Sequence, residues 1–490
     1  MGLSTNAEPS LKLKTARTIK WNTIDRFSSQ ILYAVTGIVL ANLLSKEDFG
    51  LVGALLVFQA FGNLFVDSGF GTALLQRKNP SQRDFSTIFW FNLSVSIIIY
   101  AILFFCAPLI ARIFQNNLAL VPLSRVMFLS FVLNGLGMVQ TTRLMKNMNV
   151  KQIALANMIA LSFSGVVGIF LAVTGYGAWA LVWQTVTMSA VKSAWLWLTG
   201  HWRPTTGFHL EALKPMWRMG FSVFSSSSLN TFFLYIYSFV IGAFYNLAAL
   251  GVYTQADKWS KMGSASISQV LTASFVPLLS KFQDDPPNFK RYVCRINRFT
   301  AFVLFPVMIG IAAVGTPLFH TLFGDKWDSA IILFQILTIR GIFVVLISLY
   351  TNFMLSLGYA RRIFIVEIVK DILTIVAIFA TVWWHSVPLL VWGQLGASAI
   401  TYFIVLAMTV RATGISVATL ISGMLPPIFM SLAMLAVCIG IEGTPGPAGL
   451  HLVLMTASGT LSYIALAKIT RNPELQQISG YIFGRFRSKS

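Results

Sequence analysis

Apolar stretches of membrane-crossing length recur along the whole chain, each closed by charged or turn-forming residues. One helical crossing of a bilayer needs about 20 mostly apolar residues, and on that measure the pattern predicts about fourteen transmembrane helices. They start near 22, 49, 85, 118, 153 and 177, and then near 217, 252, 298, 329, 361, 387, 416 and 449. The expected fold is therefore an all-α integral membrane protein. The longest outer loop, near Thr316 to Asp328, is too short for an external catalytic or binding domain.

The basic residues orient this array. With the N-terminus inside, 26 of the 36 Lys and Arg fall in cytoplasmic segments, only Lys46, Arg112 and Lys326 in outer loops, and 7 within spans. Such asymmetry is the positive-inside signature, and an even number of spans places both termini in the cytoplasm. The apolar run Ile31–Leu44 leads straight into the next span without a small-residue cleavage site, so the first helix is expected to be retained.

Composition agrees. Of 490 residues 56% are hydrophobic and 11% charged, with a mean hydropathy of +0.73; soluble domains carry roughly 25% charged residues. A net charge of +20 would suggest nucleic acid in a soluble chain. Here it follows from orientation, and no nucleic-acid partner is expected. Cys106, Cys294 and Cys438 lie far apart without CxxC spacing, and the five histidines are scattered, so neither a disulfide nor a metal site is expected. No Gly-rich phosphate loop followed by Lys-Ser/Thr occurs, and no cofactor is expected.

At a constant offset of 209, Pro108-Leu109 aligns with Pro317-Leu318, Phe114 with Phe323, Leu181-Val182-Trp183 with Leu390-Val391-Trp392, and Ser189-Ala190 with Ser398-Ala399. Six spans per repeat keep the same orientation, predicting two six-helix lobes of like orientation around a central cavity. The organisation is then a cytoplasmic segment 1–20, an N-lobe 21–200, a linker 201–216, a C-lobe 217–410, two further helices in 411–470 and a basic tail 471–490. The tail from Gln476 mixes aromatic and basic residues and is expected on the inner leaflet. Lobes that rock about a cavity make a transporter. A membrane enzyme would instead show catalytic residues clustered at a water interface.

Ionisable groups inside spans are costly unless they face protein or water, which makes each a functional candidate. Arg340 lies about eleven residues into its span, or about 16 Å at 1.5 Å per residue, near the midplane. Lys258 and Lys261 share a helix face rich in serine. Asp25-Arg26 opens the first span and Arg125 lies in the fourth; for these, structural and binding roles are both open. Glu367, Lys370 and Asp371 form either a neutralised structural cluster or a cation or proton coupling site.

The second span contains Phe65-Val66-Asp67-Ser68-Gly69-Phe70-Gly71-Thr72-Ala73-Leu74-Leu75-Gln76. It resembles the F-x-D-x-G-x-x-x-A-L-[IL]-Q stretch of bacterial polysaccharide exporters, the O-antigen, colanic-acid and capsule flippase family of the multidrug/oligosaccharidyl-lipid/polysaccharide exporter superfamily. Asp48-Phe49-Gly50 adds to the likeness. The eighth span is also similar to that of the lipid II flippase, with Ala256-Asp257-Lys258 and Val276-Pro277-Leu278-Leu279-Ser280-Lys281, lysine standing where arginine is expected. The resemblance implies a non-enzymatic flippase of the bacterial inner membrane that moves a polyprenyl-pyrophosphate-linked oligosaccharide by alternating access. By the same resemblance Arg26 and Lys258 would receive the pyrophosphate, joined on the residue reading by Lys261, Arg340 and Arg125. Asp25, Asp67, Glu367 and Asp371 are candidates for coupling. Membrane lipid and the polymerase and glycosyltransferases of the pathway are the expected partners. The alternatives are a cation-coupled multidrug exporter of the same superfamily and a lipid II flippase.

Overall fold

The computed structural model describes residues 7–67 and 69–476, and all regular structure among them is helical. Ser68 of the exporter-like motif and the tail 477–490, expected on the inner leaflet, lie outside the described residues. Contacts divide the chain into two compact units, Met1–Gly251 and Val252–Ser490.

The first unit holds α1 (Ala7–Leu43), α2 (Lys46–Asp67), α3 (Phe70–Gln76), α4 (Gln82–Ile113), α5 (Leu120–Met127), α6 (Leu129–Lys146), α7 (Val150–Val173), α8 (Ala178–Thr199), α9 (Leu210–Phe244) and the first turn of α10 (Leu247–Leu279). α1 packs on α7, α7 on α8, α6 on both α4 and α8, and α9 on α2, α3 and α4. Ser81 and Asp84 start α4 with reciprocal side-chain-to-backbone bonds, which satisfy donors that a helix N-terminus leaves open. The segment expected as a linker is docked: Trp202 is buried, its indole donates to Gln82 Oε1 at 2.6 Å, and its carbonyl accepts from Gln140 at 3.0 Å.

The second unit continues α10 and adds α11 (Pro286–Ala313), α12 (Gly315–Phe323), α13 (Asp328–Ser356), α14 (Ala360–Val382), α15 (Val387–Thr413), α16 (Val417–Ser422), α17 (Leu425–Glu442) and α18 (Ala448–Ile469). Its core is built on α11, α13 and α15. There Tyr350 donates to Asn297 Oδ1 at 2.9 Å, and Asn297 donates to the Leu420 carbonyl at 2.9 Å, so this buried tyrosine and asparagine are paired as burial demands. α17 and α18 pack on α11, where Tyr463 donates to the Phe302 carbonyl at 2.8 Å. The stretch Thr316 to Asp328, expected as an outer loop, is mostly helical: α12 is followed by a 3₁₀ turn at Asp325–Trp327. Phe319, Phe323 and Trp327 are buried, and this apolar face holds the segment down.

Each unit repeats one packing scheme. The offset of 209 carries α4, α6, α7 and α8 onto α11, α13, α14 and α15, and the pairings α4·α6, α6·α8 and α7·α8 recur as α11·α13, α13·α15 and α14·α15. Burial follows the repeat: Val182 and Val391 are both buried, Trp183 and Trp392 both exposed, Ser189 and Ser398 both buried.

Ten helical stretches among the described residues are long and apolar enough to cross a membrane. α1, α8, α10 and α14 are also long, from 22 to 37 residues, but fall outside that set. They carry Asp25 and Arg26; Lys192; Asp257, Lys258 and Lys261; and Glu367, Lys370 and Asp371. Helices with such interiors need a protein or water neighbour, because lipid offers a charge no partner.

Candidate functional site

The exporter-like motif makes a break between two helices. α2 ends at Asp67 and α3 begins at Phe70, with Gly69 in the left-handed region at φ +68°. A side chain here would be strained, and a Cβ would stand 2.3 Å from the Gly220 carbonyl oxygen of α9. A Cβ at Gly71 would lie 2.9 Å from a carboxylate oxygen of Asp67. The motif's two glycines thus let the chain turn against α9 and leave room for the aspartate. α3 is then fastened by Lys146, whose ammonium donates to the carbonyls of Leu75 and Arg77 at its C-terminal end.

This break opens a cavity of about 460 Å³ among α2, α3, α6 and α8. Asp67, Lys192, Asn63 and Asn134 supply its polar wall together with Thr141 and Thr142; Val66, Leu75, Met138 and Leu196 supply apolar wall. Asn134 donates to Asn63 Oδ1 at 3.3 Å. Among the described residues neither the Asp67 carboxylate nor the Lys192 ammonium makes a hydrogen bond or salt bridge. Asp25 stands apart from Asp67, on α1, where it accepts from Ser29 at 3.2 Å and from Asn157 of α7 at 3.3 and 3.1 Å. It also lies within electrostatic range of Lys192. Neighbouring Arg26 is exposed.

Arg125 is engaged elsewhere in the unit. Its guanidinium lies 4.4 Å from the centroid of the Phe104 ring, and its Nε donates to the Phe104 carbonyl at 3.4 Å. These contacts tie α5 to α4.

In the second unit, Arg340 of α13 is half-buried and its Nε donates to Ser398 Oγ of α15 at 3.0 Å. Ser398 in turn donates to the Gln394 carbonyl at 3.0 Å, so the serine is fixed as the arginine's acceptor. One residue on, Gly341 is a close approach of three helices: a Cβ there would come within 2.5 Å of Met308 of α11 and 3.1 Å of Ser264 of α10. The serine face of α10 therefore meets α13 beside Arg340. On α10, Lys261 pairs with Asp257 at 2.6 Å, one helical turn away, while the Lys258 ammonium stands 5.1 Å over the Trp259 ring. On α14, Lys370 forms an ion pair with Glu367, and Asp371 is buried nearby.

Two groups escaped the sequence reading. Lys192 is one of the seven basic residues in spans, yet only tertiary structure brings it to the cavity of Asp67 and within range of Asp25; its neighbours in sequence give no sign of either. The ligand-capable atoms of His320, Asp325 and Asp328 come within 4.8 Å of one another, with His320 bonded to Asp328 at 3.0 Å. Their spacing is legible only once the segment is known to be helical.

Long apolar helices with ionisable side chains set into a few of them define a multi-pass membrane protein. The fold is similar to that of the lipid II flippase MurJ in an inward closed conformation, with a TM-score of 0.75 over 92% of this chain and 98% of that one at 16% identity. The teichuronic acid biosynthesis protein TuaB of Bacillus subtilis is 24% identical over 94% of this chain and 96% of its own. The lipopolysaccharide biosynthesis protein WzxC of Escherichia coli is 24% identical over 68% of each chain. Residues 39–332 match the family described as polysaccharide biosynthesis protein, and the chain belongs to that family.

Proposed function

We propose that this protein is a flippase that carries a polyprenyl-pyrophosphate-linked oligosaccharide, an O-unit or an exopolysaccharide or capsule repeat, across the bacterial cytoplasmic membrane by alternating access. The observation that carries this reading is Arg340. It sits in the middle of α13, and among the described residues its one hydrogen bond is the Nε bond to Ser398. A guanidinium held by one edge keeps its forked Nη donors for an oxyanion, and a diphosphate matches that fork. Family membership supports a glycan cargo, and the names of TuaB and WzxC are those of proteins in glycan biosynthesis.

In this reading all fourteen expected spans cross the bilayer, α1, α8, α10 and α14 included, both termini are cytoplasmic, and two like-oriented lobes alternate. Arg340, Lys258, Lys261 and Arg26 attract the head group, Arg125 braces α5, and no bond is made or broken. The polymerase and glycosyltransferases of the pathway act on the same lipid. An exporter of cationic drugs would want deep, unopposed carboxylates, whereas Glu367 is opposed by Lys370 and Asp67 shares its cavity with Lys192. The lysine at 258, where the lipid II flippase motif has arginine, favours another glycan lipid over lipid II.

Reconstituted vesicles provide the test. Dye-labelled polyprenyl-pyrophosphate oligosaccharide should become accessible to a membrane-impermeant quencher faster in vesicles with the protein than without it. Equal rates would overturn the proposal.

A further inference from the structure

We propose that the cavity of the first unit lined by Asn63, Asp67, Asn134, Thr141, Thr142 and Lys192 is a glycan subsite that holds uncharged sugar residues through their hydroxyl groups. The inference rests on the reading above for the identity of the cargo; the recognition itself is argued from the cavity.

The polar lining is rich in acceptors. Thr141 donates to the Gly137 carbonyl at 3.0 Å, Thr142 to the Met138 carbonyl at 3.1 Å, and Ser193 to the Leu133 carbonyl. A hydroxyl has one proton, so each of these oxygens has only lone pairs left for a ligand. The Asp67 carboxylate adds two more acceptor oxygens, and Asn134 has spent a donor on Asn63. Lys192 and the Asn63 amide supply the donors. A ligand that complements this wall must bring several O–H groups and accept a few bonds in return.

Charge and shape narrow the class. Asp67 and Lys192 are the two ionisable groups in the lining, of opposite sign, so the lining carries no net charge to select a phosphate or a free cation. About 460 Å³ lies within the range of roughly 300–1,000 Å³ usual for small-molecule sites and is far more than a bare ion needs. The apolar side chains Val66, Leu75, Met138 and Leu196 face the same space and suit the C–H faces of a sugar ring. Gly71 keeps the Asp67 carboxylate clear, as a Cβ there would crowd it at 2.9 Å. The glycines of the exporter-like motif thereby become determinants of sugar binding as well as of the turn.

The experiment uses the full-length protein in detergent with a reporter cysteine at Met145, an exposed lining residue whose replacement removes no polar group. Labelling of Met145→Cys by a polar maleimide is measured against the unsubstituted protein, with glucose, galactose, N-acetylglucosamine, maltose, sodium chloride or sodium pyrophosphate added. Neutral sugars should slow labelling and the salts should not. Asp67→Asn should weaken the sugar effect about tenfold, the worth of a charged hydrogen bond to a ligand, while Asp67→Glu retains part of it. Size-exclusion profiles confirm that each variant is folded. No protection by sugars, protection by pyrophosphate or sodium alone, or a cysteine that fails to react would each overturn the subsite. Because binding is read without transport, these outcomes are separate from a failure of the flippase proposal, which the vesicle assay alone decides.

Discussion

The side-chain amide of Asn157 on α7 donates to both carboxylate oxygens of Asp25 on α1, at 3.3 and 3.1 Å. Two helices far apart in sequence are pinned at a half-buried charge that also acts on Lys192 of α8. Asn157→Leu should cost about 1–3 kcal/mol, because the carboxylate loses its amide donor without a replacement. Thermal unfolding in detergent measures this, and an unchanged midpoint would assign the α1–α7 association to apolar packing alone.

Gly69→Ala should abolish folded protein. The left-handed backbone costs about 1–2 kcal/mol for a residue with a Cβ, and that atom would collide with the Gly220 carbonyl oxygen at 2.3 Å. Asn tolerates such a backbone, so a Gly69→Asn protein that folds normally would show that only the dihedral mattered and the close approach to α9 did not.

Arg340→Ala should remove transport while leaving insertion and abundance intact, since the residue's one described hydrogen bond is to Ser398. Arg340→Lys should keep partial activity if charge suffices and little if the fork is required. Ser398→Ala should lower transport roughly fivefold, about the worth of one hydrogen bond. Surface polysaccharide and membrane-fraction immunoblots give the two readouts; wild-type glycan in Arg340→Ala cells refutes the assignment.

Lys261→Gln should lower folded protein as well as transport, because Asp257 then loses the cation 2.6 Å away across one helical turn. Adding Asp257→Asn should restore abundance. Membrane-fraction immunoblots and initial rates in vesicles give the two readouts, and unchanged abundance in Lys261→Gln would show that the pair does not stabilise α10.

For α14, Lys370→Gln leaves Glu367 and Asp371 without their cation, and abundance should fall because an unpaired buried carboxylate is costly. Glu367→Gln combined with Asp371→Asn tests coupling. If the cluster is structural, transport per folded molecule keeps its dependence on imposed sodium and proton gradients; loss of that dependence makes the carboxylates a coupling site.

Much of the architecture was legible in the chain because bilayer physics is local. The length of each apolar run and its bounding charges are properties of short segments, and the long helices lie where these rules expected them. The repeat was legible as well: Val182 and Val391, Trp183 and Trp392 occupy equivalent buried and exposed places in their units. The motif around Asp67, Gly69 and Gly71 could be recognised from sequence, but its physical reason could not, since the carbonyl of Gly220, far along the chain on α9, imposes it.

Tertiary structure decided which charges have partners. Lys261 finds Asp257 one turn away on its own helix, a partner that the i,i+4 spacing already allows, whereas Arg340 finds Ser398 only because α15 packs on α13. Arg125 and Arg340 look alike as isolated cations in apolar runs. One turns to an aromatic ring and a carbonyl of its own unit, while the other keeps most of its donors uncommitted. Lys192 acquired significance only when α8 was laid against α2 and α6. A span's length and hydropathy are fixed by neighbours along the chain, whereas the fate of a charge within it depends on which helix packs alongside, and that is settled by side-chain packing across the whole unit.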